Sequence, residues 1–231
     1  MLLGPPGSGK GTLAKQLEGV LRLDHLSTGD IFREQIRQRT ALGKAVSRYV
    51  TKGLLVPDAL VVQVMTSQLS AKRLRQGFVL DGFPRTKGQA QGLERFLTRQ
   101  RRPLTAAIHL ACPASVLVTR LSGRRVCSAC GAIYHVRRIP PKRRGICDAC
   151  GGALKTRQDD QVATIRKRLA IHHAQEAPLL AYYRRRDALY VLSGYGSSDQ
   201  TFRRAVRLME DRRWITHEPP TSPSARRADG R

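Results

Sequence analysis

The run Gly4-Pro-Pro-Gly-Ser-Gly-Lys-Gly-Thr12 constrains this chain more than any other stretch. It follows the apolar pair Leu2-Leu3 and opens a helical pattern from Lys10 to Leu21, so it reads as strand, tight loop and helix. It satisfies G-x-x-x-x-G-K, with Gly11 at the usual Ser/Thr position and Thr12 one residue later. Glycines let consecutive backbone N–H groups turn inward around phosphate oxygens, and the helix N-terminus adds partial positive charge. Lys10 supplies a mobile full charge for outer phosphates, and Thr12 offers a hydroxyl near Mg²⁺. The competing reading is a glycine-rich turn without a ligand, which the flanking strand and amphipathic helix oppose.

Short apolar runs at Leu2-Leu3, 78–80, 106–110 and 189–192 are bounded by Gly, Pro, Asp or Ser, with a weaker fifth run at 25–27. Helical patterns lie between them, at 10–21, 30–39, 41–52, 58–72, 87–100, 113–121, 159–186 and 200–213. This alternation predicts an α/β fold with a parallel sheet covered by helices. Pro178 is expected to kink or break the longest helix. Residues 215–231 lack apolar periodicity and read as a disordered tail.

The chain has 231 residues, enough for a sizeable core in one elaborated domain or two small ones. No apolar run approaches the roughly 18 to 20 residues of a membrane span. The glycine loop begins at Gly4, which leaves no room for a secretory leader ahead of it, so a cytoplasmic location is expected. The short first strand raises two alternatives: a true start further upstream, or a sheet weakened at its centre. The formal net charge of +25 would attract nucleic acid, anionic membrane or small polyanions alike.

Five cysteines fit a reducing compartment better than a disulfide framework. Cys112 stands alone in an apolar run and is expected to be buried packing. The others form two C-x-x-C pairs, Cys127/Cys130 and Cys147/Cys150, separated by sixteen residues. Four thiolates at this spacing suit a closed tetrahedral Zn²⁺ site with no position open for catalysis. The segment between the pairs holds Pro140-Pro141 and little helical period, so a structural zinc would supply stability that apolar packing cannot. His135 lies close by but is surplus as a ligand.

Two further motifs, Leu26-Ser-Thr-Gly-Asp-Ile-Phe-Arg33 and Phe78-Val-Leu-Asp-Gly-Phe-Pro-Arg-Thr86, each place an arginine shortly after a strand, where ligands gather in open α/β sheets. Arginine's planar fork suits phosphate oxygens, and Asp81 at a strand end can hold water around Mg²⁺. Together with the glycine loop, GLLVPD at 53–58, Gln89, GRR at 123–125, TRQDD at 156–160 and IRKRL at 165–169, these motifs resemble the adenylate kinase family, long form with a zinc-binding lid, over residues 1 to about 196.

The resemblance implies a three-layer P-loop kinase with a central parallel five-stranded sheet and two mobile inserts. The core would span 1–26, 57–122 and 159–214, with an NMP-binding insert at 27–56 and a zinc-binding lid at 123–158. Thr28, Arg33, Leu54, Leu55, Val56, Gly82, Phe83, Pro84, Arg85 and Gln89 would surround AMP. Gly7, Ser8, Gly9, Lys10, Gly11, Thr12, Arg124, Ile133, Tyr134 and the backbone at Gly196 would contact ATP. Arg157 and Arg168 would reach phosphates, AMP's included, once the lid closes; Lys10, Arg85, Arg124, Arg157 and Arg168 would be the catalytic cations. Asp81, Asp159 and Asp160 would position magnesium's waters or the lid arginines. The implied activity is Mg²⁺-dependent ATP + AMP = 2 ADP, by an expected monomer with no membrane partner. Two other readings stay open: a family member preferring GTP, and a P-loop zinc-ribbon protein that binds nucleic acid through Arg137, Arg138 and 142–144.

Overall fold

The computed structural model describes residues 1–71 and 77–215, so Lys72 and the expected tail beyond Ile215 lie outside the described residues. In chain order the elements are β1 (Leu2–Leu3), α1 (Lys10–Leu21), β2 (Asp24–Ser27), α2 (Thr28–Arg37), α3 (Ala41–Thr51), α4 (Asp58–Ala71), β3 (Phe78–Asp81) and α5 (Lys87–Arg99). They continue with β4 (Ala107–Ala111), α6 (Ala114–Ser122), β5 (Arg124–Cys127), β6 (Ile133–His135), β7 (Leu154–Lys155), α7 (Val162–Arg184), β8 (Leu189–Ser193) and α8 (Ser198–Asp211).

Five strands form one parallel sheet in the order β2-β3-β1-β4-β8. The inner strands β3, β1 and β4 bury both faces, because alternate side chains enter opposite apolar clusters, whereas Val191 on the edge strand β8 is exposed. Leu3, Leu80 and Ala107 pack with α4, α5 and α7, whereas Leu2, Val79 and Ile108 pack with α1 and α8. The result is three layers, helix on sheet on helix. The central strand β1 is only two residues long, and its preceding amino group donates to the Ala106 carbonyl at 2.7 Å. β1 connects through α1 to β2 on one side while β3 connects through α5 across it to β4 on the other, so a crevice opens at the carboxyl end of β1, where Gly4 begins the glycine loop.

Local signals explain the helix boundaries. The Ser27 hydroxyl accepts from the Asp30 amide at 3.3 Å, so α2 starts at Thr28, two residues earlier than expected. A reciprocal capping box between Ser197 and Gln200 starts α8 at Ser198. The predicted long helix from 159 is divided: Gln158–Asp160 is a 3₁₀ turn, and α7 begins at Val162. Pro178 does not break α7, which runs through it from Val162 to Arg184. Ile165 before the proline and Leu179, Tyr182 and Tyr183 after it are buried, so packing on both sides outweighs one lost backbone bond.

A second, antiparallel sheet, β6-β5-β7, carries both cysteine pairs. Its apolar cluster is small, centred on Cys127, Tyr134 and Cys147. Among the described residues no helix is long and apolar enough to cross a membrane.

Candidate active site

A cleft of about 770 Å³ lies over the carboxyl ends of β1 and β3, bounded by the glycine loop, by α2 and the segment after α3, and by β5 and β6. The loop's shape depends on glycine at Gly4, where φ is +129° and an added Cβ would sit 2.7 Å from the Leu110 carbonyl oxygen. Gly7, Ser8, Gly9, Lys10, Gly11 and Thr12 all border the cleft. Lys10 folds back over the loop, its ammonium donating to the Gly4 and Pro5 carbonyls at 2.7 and 2.8 Å. Burial, with the surrounding arginines and against Asp81, pushes its pKa down to about 8.

The opposite wall is built from the two arginine motifs. Thr28 donates to the Gly82 carbonyl at 2.8 Å and so ties α2 to the turn after β3. Arg33 holds Asp30 at 2.6 Å, while Leu54, Leu55 and Val56 complete the wall. Gln89 lines the cleft and is held in place on both sides of its amide: its carbonyl accepts from the Arg85 amide at 2.8 Å and its amide donates to Asp58 at 2.8 Å. Asp58 also accepts from Thr86 at 2.6 Å, which fixes the Gly82–Arg85 turn from behind. Pro84 lines the cleft, but Phe83 turns its side chain into the core, with 0% exposure. Its expected role at the site is therefore left to its backbone, because a buried ring anchors the turn.

Between these walls stand Arg85, Arg124, Arg157 and Arg168. Asp160, its side chain 0% exposed, accepts two hydrogen bonds from Arg124 at 2.7 and 2.6 Å and one from Arg168 at 3.1 Å. Asp159 lies 3.0 Å from Arg168. These carboxylates therefore hold arginines. Asp81 instead faces the glycine loop, 3.1 Å from where a Cβ on Gly11 would stand. Burial opposes its ionisation, yet the His25 ring and Lys10 outweigh that and hold its pKa below the usual carboxylate range. Burial and neighbouring guanidinium groups lower Arg85 and Arg157 to about 10 each, the signature of cations crowded together. Such crowding favours an anion of several charges between them.

Sequence reasoning passed over three residues that shape this site. Arg120 donates to the Gly194 and Gly196 carbonyls at 2.8 and 3.0 Å and lines the cleft. It precedes the GRR motif by one helical turn, but a single arginine on an amphipathic helix carries no signal of its own. Asp58 looked like an ordinary helix-start residue. His135 does act in the fold: its ring accepts from the Arg137 and Arg138 amides at 3.1 Å and its Nε2 lies 3.1 Å from the Thr119 carbonyl, which joins the second sheet to α6. Cys112 is half-buried rather than buried, with its sulfur 3.8 Å from Arg120; it follows β4 instead of lying within it.

The four cysteine sulfurs all lie within 4.8 Å of one another, with Cys127–Cys150 at 3.5 Å and Cys130–Cys147 at 3.6 Å. A tetrahedral zinc with bonds of about 2.3 Å separates its sulfurs by about 3.8 Å, so the donor set fits that ion. Each pair closes the same way: Gly131 and Gly151 follow at φ +70° and +72° and donate to the Cys127 and Cys147 carbonyls. The Tyr134 hydroxyl, 3.5 Å from the sulfur, lowers Cys147 to about 6, favouring the thiolate a metal requires.

A glycine loop at a switch point, facing a second anion-gathering wall with arginines between, defines a P-loop phosphotransferase that acts on two phosphorylated substrates. Comparison with known proteins narrows this. The family model described as adenylate kinase matches residues 2–188. The adenylate kinase of Moorella thermoacetica is 47% identical over 84% of this chain and 89% of its own length. That of Clostridium novyi is 44% identical over 87% and 94%, and that of Caldanaerobacter subterraneus subsp. tengcongensis is 41% identical over 94% and 99%. The chain belongs to the adenylate kinase family, and it is a nucleoside monophosphate kinase.

Proposed function

We propose that this chain catalyses ATP + AMP = 2 ADP in the cleft between the glycine loop and the Arg33/Arg85 wall. The observation that carries the reading is the meeting of Lys10, Arg85, Arg124, Arg157 and Arg168 around one space with phosphate-binding elements on two sides. Gly7–Thr12, Arg124, Ile133, Tyr134 and Gly196 are assigned to ATP. Thr28, Arg33, Leu54–Val56, Gly82–Arg85, Gln89, Arg157 and Arg168 are assigned to AMP.

Phosphoryl transfer requires alignment and charge neutralisation more than covalent help. An oxygen of the AMP phosphate forms the new bond to the γ-phosphorus, and the bond from that phosphorus to the β,γ-bridging oxygen breaks, its electron pair leaving on ADP. Lys10 and the four arginines neutralise charge spreading over the transferred group, and Asp159 and Asp160 hold Arg124 and Arg168 in place for it. Mg²⁺ brought with ATP supplies further neutralisation, and Asp81 is the residue suited to hold its water. Zn²⁺ on the four cysteines would stiffen the lid.

We take residues 27–56 as the NMP-binding insert, 123–158 as the lid and the rest of 1–214 as core. Contacts across the cleft support closure as the means of excluding water: Arg157 lies 3.7 Å from Asp30, and Lys15 donates to the Gly131 carbonyl at 3.0 Å. The reading is completed by a cytoplasmic location and a monomer. A coupled assay of ADP formation from ATP and AMP tests it, with GTP as alternative donor and CMP, UMP and GMP as alternative acceptors. AMP-dependent ADP formation by zinc-loaded protein is the expected result, and its absence sinks the proposal.

A further inference from the structure

The cleft occupies the carboxyl edge of the parallel sheet, and the catalytic cations account for only part of the +25 charge. At the opposite edge, where the strands begin, α5 ends at Arg99 and leads into β4, and α7 ends at Arg184 and leads into β8. β4 and β8 are neighbours, and the Ala107 amide donates to the Ala188 carbonyl at 2.7 Å, so these two connections lie side by side. They expose Arg99, Arg101 and Arg102 on one and Arg184, Arg185 and Arg186 on the other. The connection from α1 to β2 adds exposed Arg22 at this edge, and the end of α8 adds Arg212 and Arg213, with Trp214 packed on Tyr190 at 4.9 Å. Carboxylates on the edge are fewer than arginines: Glu94, which pairs with Arg186 and Tyr182, together with Asp24, Asp187, Glu210 and Asp211.

Helix-end capping accounts for part of this, since a cation there meets the negative end of the helix dipole. It does not account for Arg22, Arg101 and Arg213, which stand in the left-handed turn after a helix at φ +53°, +53° and +57°, where glycine is the unstrained choice. Among the described residues five non-glycines take this conformation: these three arginines and Asp187 lie along this edge and Arg39 lies elsewhere, so it is the gathering of exposed arginines on one edge that points to a use for their charge. Beside them an open groove of about 420 Å³ runs between α5 and α7, walled by Arg95, Arg99 and Arg186. Arg186 lies over the Tyr182 ring at 3.8 Å, lines the groove and keeps its side chain 42% exposed.

We propose that this edge binds the phosphodiester backbone of single-stranded nucleic acid, with one base stacked on Arg186 in the groove. Guanidinium forks recognise phosphate oxygens in pairs, and every cation named here is arginine. Five strands at about 4.8 Å spacing make the stripe from Arg22 to Arg186 about 19 Å long, roughly six nucleotides. The site lies away from the cleft, so it is independent of the kinase reaction.

Fluorescence anisotropy with labelled 12-nucleotide RNA and DNA strands, and with duplex DNA, tests the proposal. Single-strand binding is expected, weakening about 100-fold between 50 and 200 mM salt if about five phosphates are engaged. Arg99→Gln/Arg184→Gln/Arg185→Gln should weaken it at least tenfold while kinase activity and melting temperature stay unchanged. Arg143→Gln/Arg144→Gln, in the exposed basic run between β6 and β7, should bind like the parent. The RNA and DNA arms decide which strand is preferred. Undetectable binding, tighter binding of the duplex, loss in the 143/144 variant instead, or equal competition by polyglutamate would overturn the proposal, the last in favour of an acidic polypeptide partner.

Discussion

Asp160 and Arg124 form a two-bond fork, at 2.7 and 2.6 Å, between a buried carboxylate at the end of the 3₁₀ turn and the first residue of β5. The same carboxylate takes Arg168 from α7, so one fully buried charge sets the positions of two arginines on different elements. Fully buried acceptors of this kind are costly to lose, because the partner charges stay behind without compensation.

Asp160→Asn should therefore reduce kcat by roughly 100-fold, equivalent to about 2.7 kcal/mol of transition-state stabilisation. AMP and ATP affinities should change much less, since the arginines remain. A steady-state assay with both substrates varied checks this, and a kcat within twofold of the parent would refute the positioning role.

Lys10 predicts a pH effect on the donor nucleotide. Its folded pKa of about 8 lies below the usual 10.5, so the unliganded fold favours the neutral amine more than the unfolded chain does. The unfolded state binds more protons between those values, so the cost of burying the ammonium is full and constant below about pH 8 and is relieved as pH rises through the window toward 10.5. A polyphosphate favours the ammonium, so ATP affinity should drop as pH rises above about 8, with proton uptake on binding near that pH. Calorimetric titrations in buffers of different ionisation heat would record the uptake. Affinity that stays constant from pH 7 to 9 would count against it.

Cys130→Ser should abolish stoichiometric zinc and lower the melting temperature by several degrees, while ATP binding to the glycine loop persists. The lid's own apolar cluster is too small to hold two knuckles closed. Metal analysis with calorimetry decides; unchanged melting with one zinc per chain rules this out.

Gly123→Ala addresses the joint between α6 and the lid. Its φ of −84° suits alanine, but an added Cβ would stand 2.3 Å from Nε2 of His135, the atom that meets the Thr119 carbonyl. The ring must shift, and overpacking of this sort costs roughly 1–3 kcal/mol. KM for ATP should rise several-fold with KM for AMP unchanged, and His135→Ala in the same chain should recover part of the loss. Equal effects on both substrates would exclude a lid-specific role.

Much of this protein was legible in its sequence because the signals are local. Glycine spacing before Lys10 dictates a loop that turns amides inward, paired cysteines at fixed spacing dictate a knuckle, and alternating apolar runs dictate a doubly covered sheet. These need only neighbours along the chain, and all five strands, the faint one at 25–27 included, stand where the pattern placed them.

What the tertiary structure alone decided depends on residues far apart. Pro178 stays inside α7 because packing on both sides outweighs a broken local rule. Phe83 faces the core and Gln89 serves Asp58, although both belong to ligand-like motifs. Arg120 became part of the site only through carbonyls more than seventy residues away, and the arginine edge only through the pairing of β4 with β8. Backbone conformation answers to adjacent residues, whereas the partner of a side chain is set by which elements the fold brings together.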